Sequence, residues 1–273
     1  MIPSVLTIAG SDSGGGAGIQ ADIKTIQACR CYGLSVLVSI TAQNTQTVTA
    51  AFDLPLEIIE AQLDAVFDDI EIAAVKTGML SSAAIVETVA RKLKERKVER
   101  LVVDPVMISK SGYPLLREDA VETLRKRLLP LAMVVTPNRH EAELLAGVEV
   151  KNESDAREAG LRILETGCGA VLIKGGHIDA FQSIDYLVTA GGVRAYPAER
   201  IRTKNTHGTG CTYSAALASS LAQGLELEEA VRRSKQYVTE AIRHGLDIGR
   251  GHGPTDHFWF LREGDTHSEG LSH

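Results

Sequence analysis

Apolar residues in this chain fall into short unbroken runs, separated by longer stretches in which they recur every three or four positions. The first run, SVLTIA at 4–9, ends in glycine and reads as a buried strand. A Gly-rich stretch, GSDSGGGAGIQAD at 10–22, then opens a helix over roughly 19–31. A strand at 34–42 follows, and Asp53 is the expected N-cap of a helix with Pro55 near its start. The alternation continues with strands at 72–78, 100–106, 133–137 and 170–176 and helices at 82–96, 118–129, 140–147 and 155–167. Strands apolar from end to end and alternating with helices predict one α/β domain. Its central sheet is mostly parallel, with helices on both faces. Residues 184–203 alternate around Gly191-Gly192 and predict an antiparallel hairpin at the sheet edge. Helices at about 210–224 and 226–244 complete the domain over 1–261, and the polar segment 262–273 is expected to be a flexible tail.

Composition narrows the partners. The 273 residues carry a net charge of −6, and no basic patch stands out, which argues against nucleic acid. No apolar run reaches the ~18 residues of a membrane span, and the N-terminus lacks a signal pattern, so a cytoplasmic location is expected. Four cysteines form no C-x-x-C pair. Cys29, Cys31 and Cys168 read as small buried hydrophobes in a reducing compartment.

In open parallel sheets ligands bind beyond the carboxyl ends of the strands. Here those ends carry Gly10-Ser11-Asp12, Thr77-Gly78-Met79, Asp104-Pro105, Pro137-Asn138 and Lys174-Gly175-Gly176. Such residues also simply end strands. Lys174 is the exception, because a lysine at a buried strand end needs an anion to face. The stretch HGTGC at 207–211 joins a glycine-bracketed turn to a helix of small residues. Two glycines that admit positive φ, followed by a helix N-terminus, make an anion site. It lacks the order of a Walker P-loop. Cys211 at that junction has three readings: a plain helix-start residue, an acyl-transfer nucleophile with His207 as base, or a mild base opposite a phosphoryl group.

The chain resembles the ribokinase-like family of small-molecule kinases and, more closely, the hydroxymethylpyrimidine/phosphomethylpyrimidine kinases of thiamine biosynthesis. Eight segments in order carry the resemblance: LTIAGSDSGGGAGIQADIKT (6–25), TAQNT (41–45), KTGML (76–80), LVVDPVMISKSG (101–112), TPNRHEAELLAG (136–147), VLIKGGH (171–177), TKNTHGTGCTYSAALA (203–218) and GHGPTDHF (251–258). It implies a kinase using ATP and Mg²⁺, acting on a pyrimidine in two successive transfers, as a homodimer. It assigns the anion hole to the amides of Gly208, Gly210 and Cys211, with Cys211 standing where relatives carry a catalytic aspartate. Lys174 matches the lysine on the ATP phosphates, with Asn138 and Thr209 also on the nucleotide. Asp104 and Glu141 match the groups that organise Mg²⁺. Gln43 matches the reader of the aminopyrimidine, and an amide both donates and accepts, as an amine beside a ring nitrogen requires. Asp22, Met79 and Val106 match further substrate positions.

Plainer roles stand beside these. Asp22 lies in a first helical turn, Asp104 precedes a proline, Glu141 starts a helix, and Met79 suits a core. Pyridoxal kinase activity on the same fold is the nearest alternative. A non-catalytic binding protein and a cysteine hydrolase are more distant ones.

Overall fold

The computed structural model describes residues 2–108, 112, 115–175 and 182–263. Nine strands form one sheet: β1 (Ser4–Asp12), β2 (Tyr32–Gln43), β3 (Val48–Asp53), β4 (Ala74–Thr77), β5 (Leu101–Val103), β6 (Val134–Val135), β7 (Val171–Ile173), β8 (Gln182–Thr189) and β9 (Gly192–Glu199). Their order is β3-β2-β1-β4-β5-β6-β7-β8-β9. The run from β2 to β7 is parallel, and antiparallel strands flank it at both edges.

The apolar runs are two-faced despite lacking polar alternation. Successive strand side chains point to opposite sides. Leu6, Ile8, Val103, Val135, Val171 and Ile173 enter one core, against α2 (Leu56–Asp69), α3 (Ala83–Glu95), α5 (Arg139–Ala146) and α6 (Glu153–Leu164). Val5, Val102, Val134 and Leu172 enter the other, against α1 (Gly18–Ala28), α7 (Thr209–Ala222) and α8 (Leu227–Arg243). Helix α7 is buried around most of its circumference, which its Ala and Ser residues permit. The Ser219 hydroxyl satisfies itself on the Ala215 carbonyl at 2.8 Å.

Three expectations are corrected. The sheet has a second antiparallel edge, β3, turned back on β2 by Asn44, whose Oδ1 accepts from the amides of Gln46 and Thr47 at 2.8 and 3.0 Å. Asp53 therefore belongs to β3, where it accepts from the Ser39 and Ser81 hydroxyls, and Pro55 is the residue before α2. The helix expected over 118–129 is α4 (Glu118–Thr123), continued by a wider turn at Leu124–Leu128 and a tighter one at Leu129–Leu131 that contains Pro130. Arg262, expected in the tail, lies in α9 (Trp259–Glu263) and donates to Asp256 at 2.7 Å. The remainder of that tail, 264–273, lies outside the described residues, as do Lys110, Ser111, Gly176 and His177.

Candidate active site

A cavity of about 710 Å³ opens over the carboxyl ends of β1, β4, β5, β6 and β7. Gln43, Met79 and Val106 line it on the β1–β2 side, and Asn138, Glu141 and Lys174 on the β6–β7 side. Asp104 and the residues Gly208 to Cys211 lie between them. The topology thus gathers residues scattered over 43–211 around one space.

The floor is a chain of buried charges. Asp104, at the end of β5, is almost wholly buried. Lys174 Nζ lies 2.8 Å from its Oδ1, and the hydroxyls of Thr136 and Ser214 donate to it at 3.1 and 3.2 Å. Burial works to raise this carboxyl, but Lys174 and Lys76 outweigh it and hold Asp104 ionised. Lys174 finds the anion that its strand-end position required. Gly210 sits directly above the pair: a Cβ there would stand 3.3 Å from Lys174 Nζ and 3.5 Å from Asp104.

Glu141 and Asn138 form a reciprocal N-terminal cap on α5. The Asn138 amide donates to Glu141 Oε2 at 2.7 Å, and the Glu141 amide donates to Asn138 Oδ1 at 3.0 Å. Burial pushes the Glu141 carboxyl up to about 7; Lys174 opposes this and the Asp104 charge adds to it. Among the described residues no three His, Cys, Asp or Glu side chains group closely enough to hold a metal alone. Two carboxylates, one of them driven toward protonation by the other, suit a hydrated Mg²⁺ that draws its remaining ligands from phosphates.

The anion loop has the expected form. Gly208 is the N-cap of α7 with φ of 78°, and a Cβ there would fall 1.7 Å from the Gly16 carbonyl oxygen. Only glycine fits that approach. The first amide to return into the helix is that of Thr212, bonded to the Gly208 carbonyl at 2.8 Å. Among the described residues the amides of Gly208, Gly210 and Cys211 have no backbone acceptor. The Thr209 hydroxyl is engaged with the Thr206 carbonyl at 2.8 Å, so its side chain shapes the turn. Burial pushes the Cys211 thiol up to about 12; Lys76 opposes, Asp22 and Asp104 reinforce, and the Gly18 amide opposes weakly. The sulfur is therefore a neutral thiol. The pull of the helix N-terminus toward thiolate is outweighed by burial and by two nearby carboxylates.

Asp22 does not reach the cavity wall. It is fully buried beneath it, where Lys76 Nζ lies 2.7 Å and the Thr7 hydroxyl 2.6 Å from its Oδ2. Lys76 is the residue that sequence reasoning passed over. It is the bulkiest side chain wholly removed from solvent, and it lies in the middle of an apolar strand. A lysine inside such a run, AVKTG, was the available signal, since a buried ammonium demands a partner. Asp12 and His207 were also unassigned, and they pair at 2.8 Å on the cavity wall. Met79 packs its methyl against Gly10, where a Cβ would come within 2.3 Å. Its thioether and the half-buried Val106 offer apolar surface to a flat ring.

The family profile described as phosphomethylpyrimidine kinase matches residues 12–256. The hydroxymethylpyrimidine/phosphomethylpyrimidine kinase of Streptomyces coelicolor is 50% identical over 261 residues, covering 96% of each chain. The bifunctional thiamine biosynthesis protein ThiED of Geobacter sulfurreducens is 50% identical over 93% of this chain, which spans only 52% of that relative's length. Among solved structures, a Bacillus subtilis pyridoxal kinase in complex with ADP aligns with a TM-score of 0.89 at 38% identity, covering 96% of this chain and 99% of that one. With its anion loop, buried Lys174–Asp104 pair and cavity at the carboxyl ends of the strands, the chain belongs to the phosphomethylpyrimidine kinase family.

Proposed function

We propose that this chain is an ATP-dependent kinase that phosphorylates 4-amino-5-hydroxymethyl-2-methylpyrimidine to its monophosphate and then to the diphosphate, in thiamine biosynthesis. The observation that carries the reading is a neutral thiol at the N-terminus of α7. It stands in a cavity that also holds the Lys174–Asp104 pair and the Gln43 amide. A loose phosphoryl-transfer transition state asks for positioning and charge neutralisation more than for a strong base. The amides of Gly208, Gly210 and Cys211 supply the first, aimed at the transferred phosphoryl group. Lys174, with Asn138 and Thr209 beside it, takes the nucleotide phosphates. Asp104 and Glu141 would hold Mg²⁺, which when bound neutralises charge on the phosphate oxygens. Gln43 reads the amine and ring nitrogen, with the ring between Met79 and Val106. Asp22 acts from below, by keeping Lys76 charged and fixed. The reading takes residues 1–261 as one kinase domain acting in the cytoplasm as a homodimer. No described helix is long and apolar enough to cross a membrane.

Pyridoxal kinase is the second reading, favoured by the close backbone match to a pyridoxal kinase. The higher identity to pyrimidine kinases weighs against it. Incubating the protein with Mg-ATP and either the hydroxymethylpyrimidine or pyridoxal, and following products by mass, decides between them. Pyrimidine diphosphate is the expected product. Pyridoxal phosphate alone would move the protein to the second reading, and no product from either would sink both.

A further inference from the structure

The loop after β1 and the loop before α7 are joined by one side-chain pair. Asp12 is buried, and its carboxylate gathers the loop around itself. Oδ1 accepts from the Gly14 amide at 2.8 Å; Oδ2 accepts from the amides of Gly16 and Ala17 at 3.1 and 2.8 Å and lies 2.8 Å from His207 Nε2. The amides of this Gly-rich loop are thus occupied by its own aspartate. The anion-binding role falls to the HGTGC loop alone. The His207 ring lies against Gly16, where a Cβ would come within 2.3 Å of Cδ2. Burial works to raise the Asp12 carboxyl, but His207 and the amides hold it below the usual range, so it is ionised and can only accept. His207 Nε2 must then carry the proton.

That proton decides how Gln43 stands. One end of the Gln43 carboxamide is 3.4 Å from His207 Nε2 and the other is 3.2 Å from Thr41 Oγ1. The Thr41 hydroxyl has one proton, and the Ser11 carbonyl takes it at 2.9 Å. Thr41 therefore offers Gln43 only a lone pair, and His207 offers it only a proton. The two ends of an amide are told apart by such partners. The nitrogen belongs at Thr41 and the oxygen at His207, the reverse of the placement in the coordinates. One N–H and one carbonyl lone pair then remain for a ligand, in a defined order across the cavity wall.

We propose that Asp12 and His207 are positioning residues that fix the carbonyl of Gln43 toward the imidazole, and so set the donor–acceptor order offered to a flat nitrogen heterocycle bearing an amine. The proposal rests on the reading of Gln43 as the ring-recognising residue. The same pair ties that recognition to the anion loop, because His207 immediately precedes Gly208.

The test compares His207→Phe, which keeps a flat ring over Gly16 and loses the donor, with His207→Gln, which restores a donor. KM and kcat are measured for the heterocycle at saturating ATP, along with KM for ATP. His207→Phe should raise the heterocycle KM by about tenfold or more, leave the ATP KM nearly unchanged, and be largely rescued in His207→Gln. An unchanged heterocycle KM, an equal rise in both KM values, or no rescue overturns the proposal. If His207→Phe does not fold, Thr41→Val removes the lone pair that orients the other end of the amide. It should raise the same KM, and no rise overturns the proposal. Should the wild type accept pyridoxal and not the pyrimidine, the functional reading falls. The same pattern in the pyridoxal KM then decides this inference. The ¹⁵N shifts of His207 give a readout free of turnover: a protonated Nε2 is expected, and a bare Nε2 refutes the proposal.

Discussion

Replacing Cys211 with aspartate should separate the two phosphoryl transfers. The first acceptor is a neutral hydroxymethyl group. The second is the phosphate monoester formed from it, which carries about −1.5 to −2 charges near neutral pH. With a thiol pushed up to about 12, the wild-type site presents no charge at this position to either acceptor. A carboxylate would present one. At about 4 Å and an effective dielectric near 20, each pair of like unit charges costs about 4 kcal/mol, or about a thousandfold in rate. The Lys76 ammonium offsets part of this, so Cys211→Asp should slow the second transfer relative to the first by roughly a hundredfold to a thousandfold. The assay follows monophosphate and diphosphate by mass in single time courses started from each acceptor, at a pH above neutrality. If both transfers slow by the same factor, or the second is spared, the electrostatic account of the cysteine is wrong.

Three further outcomes follow from the buried charges and the loop. Lys76→Met leaves Asp22 ionised in the core without its partner and should cost about 3–5 kcal/mol in urea unfolding. The double variant Lys76→Met, Asp22→Asn should recover much of that loss, and a double variant as unstable as the single would refute the pairing argument. Glu141 has its carboxyl raised to about 7 in the nucleotide-free protein. The folded state thus binds an extra proton between the ordinary glutamate value, about 4.3, and about 7, so stability should fall as pH rises through that window. Glu141→Gln should flatten this slope, and an unchanged slope assigns it to another group. Gly208→Ala forces a side chain onto φ of 78° and into the Gly16 carbonyl. Kinase activity should be lost and the melting temperature lowered, and a fully active, equally stable variant would show that the two loops are not in contact.

The alternation of apolar runs with helical spacing was enough to place the parallel strands and their covering helices, because each element's period is local. The lysine at 174, the glycine-bracketed helix start at 208–211 and the carboxylates at 104 and 141 were legible as chemistry. Each is a residue type that is costly or uncommon unless it serves a ligand or a partner. What the sequence left open were partnerships. Asp22 meets Lys76 across 54 positions and Asp12 meets His207 across 195. No local pattern encodes such distances; the strand order does. Edge strand β3 was missed because a short, half-exposed hairpin carries little apolar signal. The state of Cys211 was the clearest case. Local reasoning saw a thiol at a helix N-terminus and leaned toward thiolate. Tertiary packing buries it beside two carboxylates and keeps it neutral, because desolvation and like charge depend on what surrounds the sulfur in space.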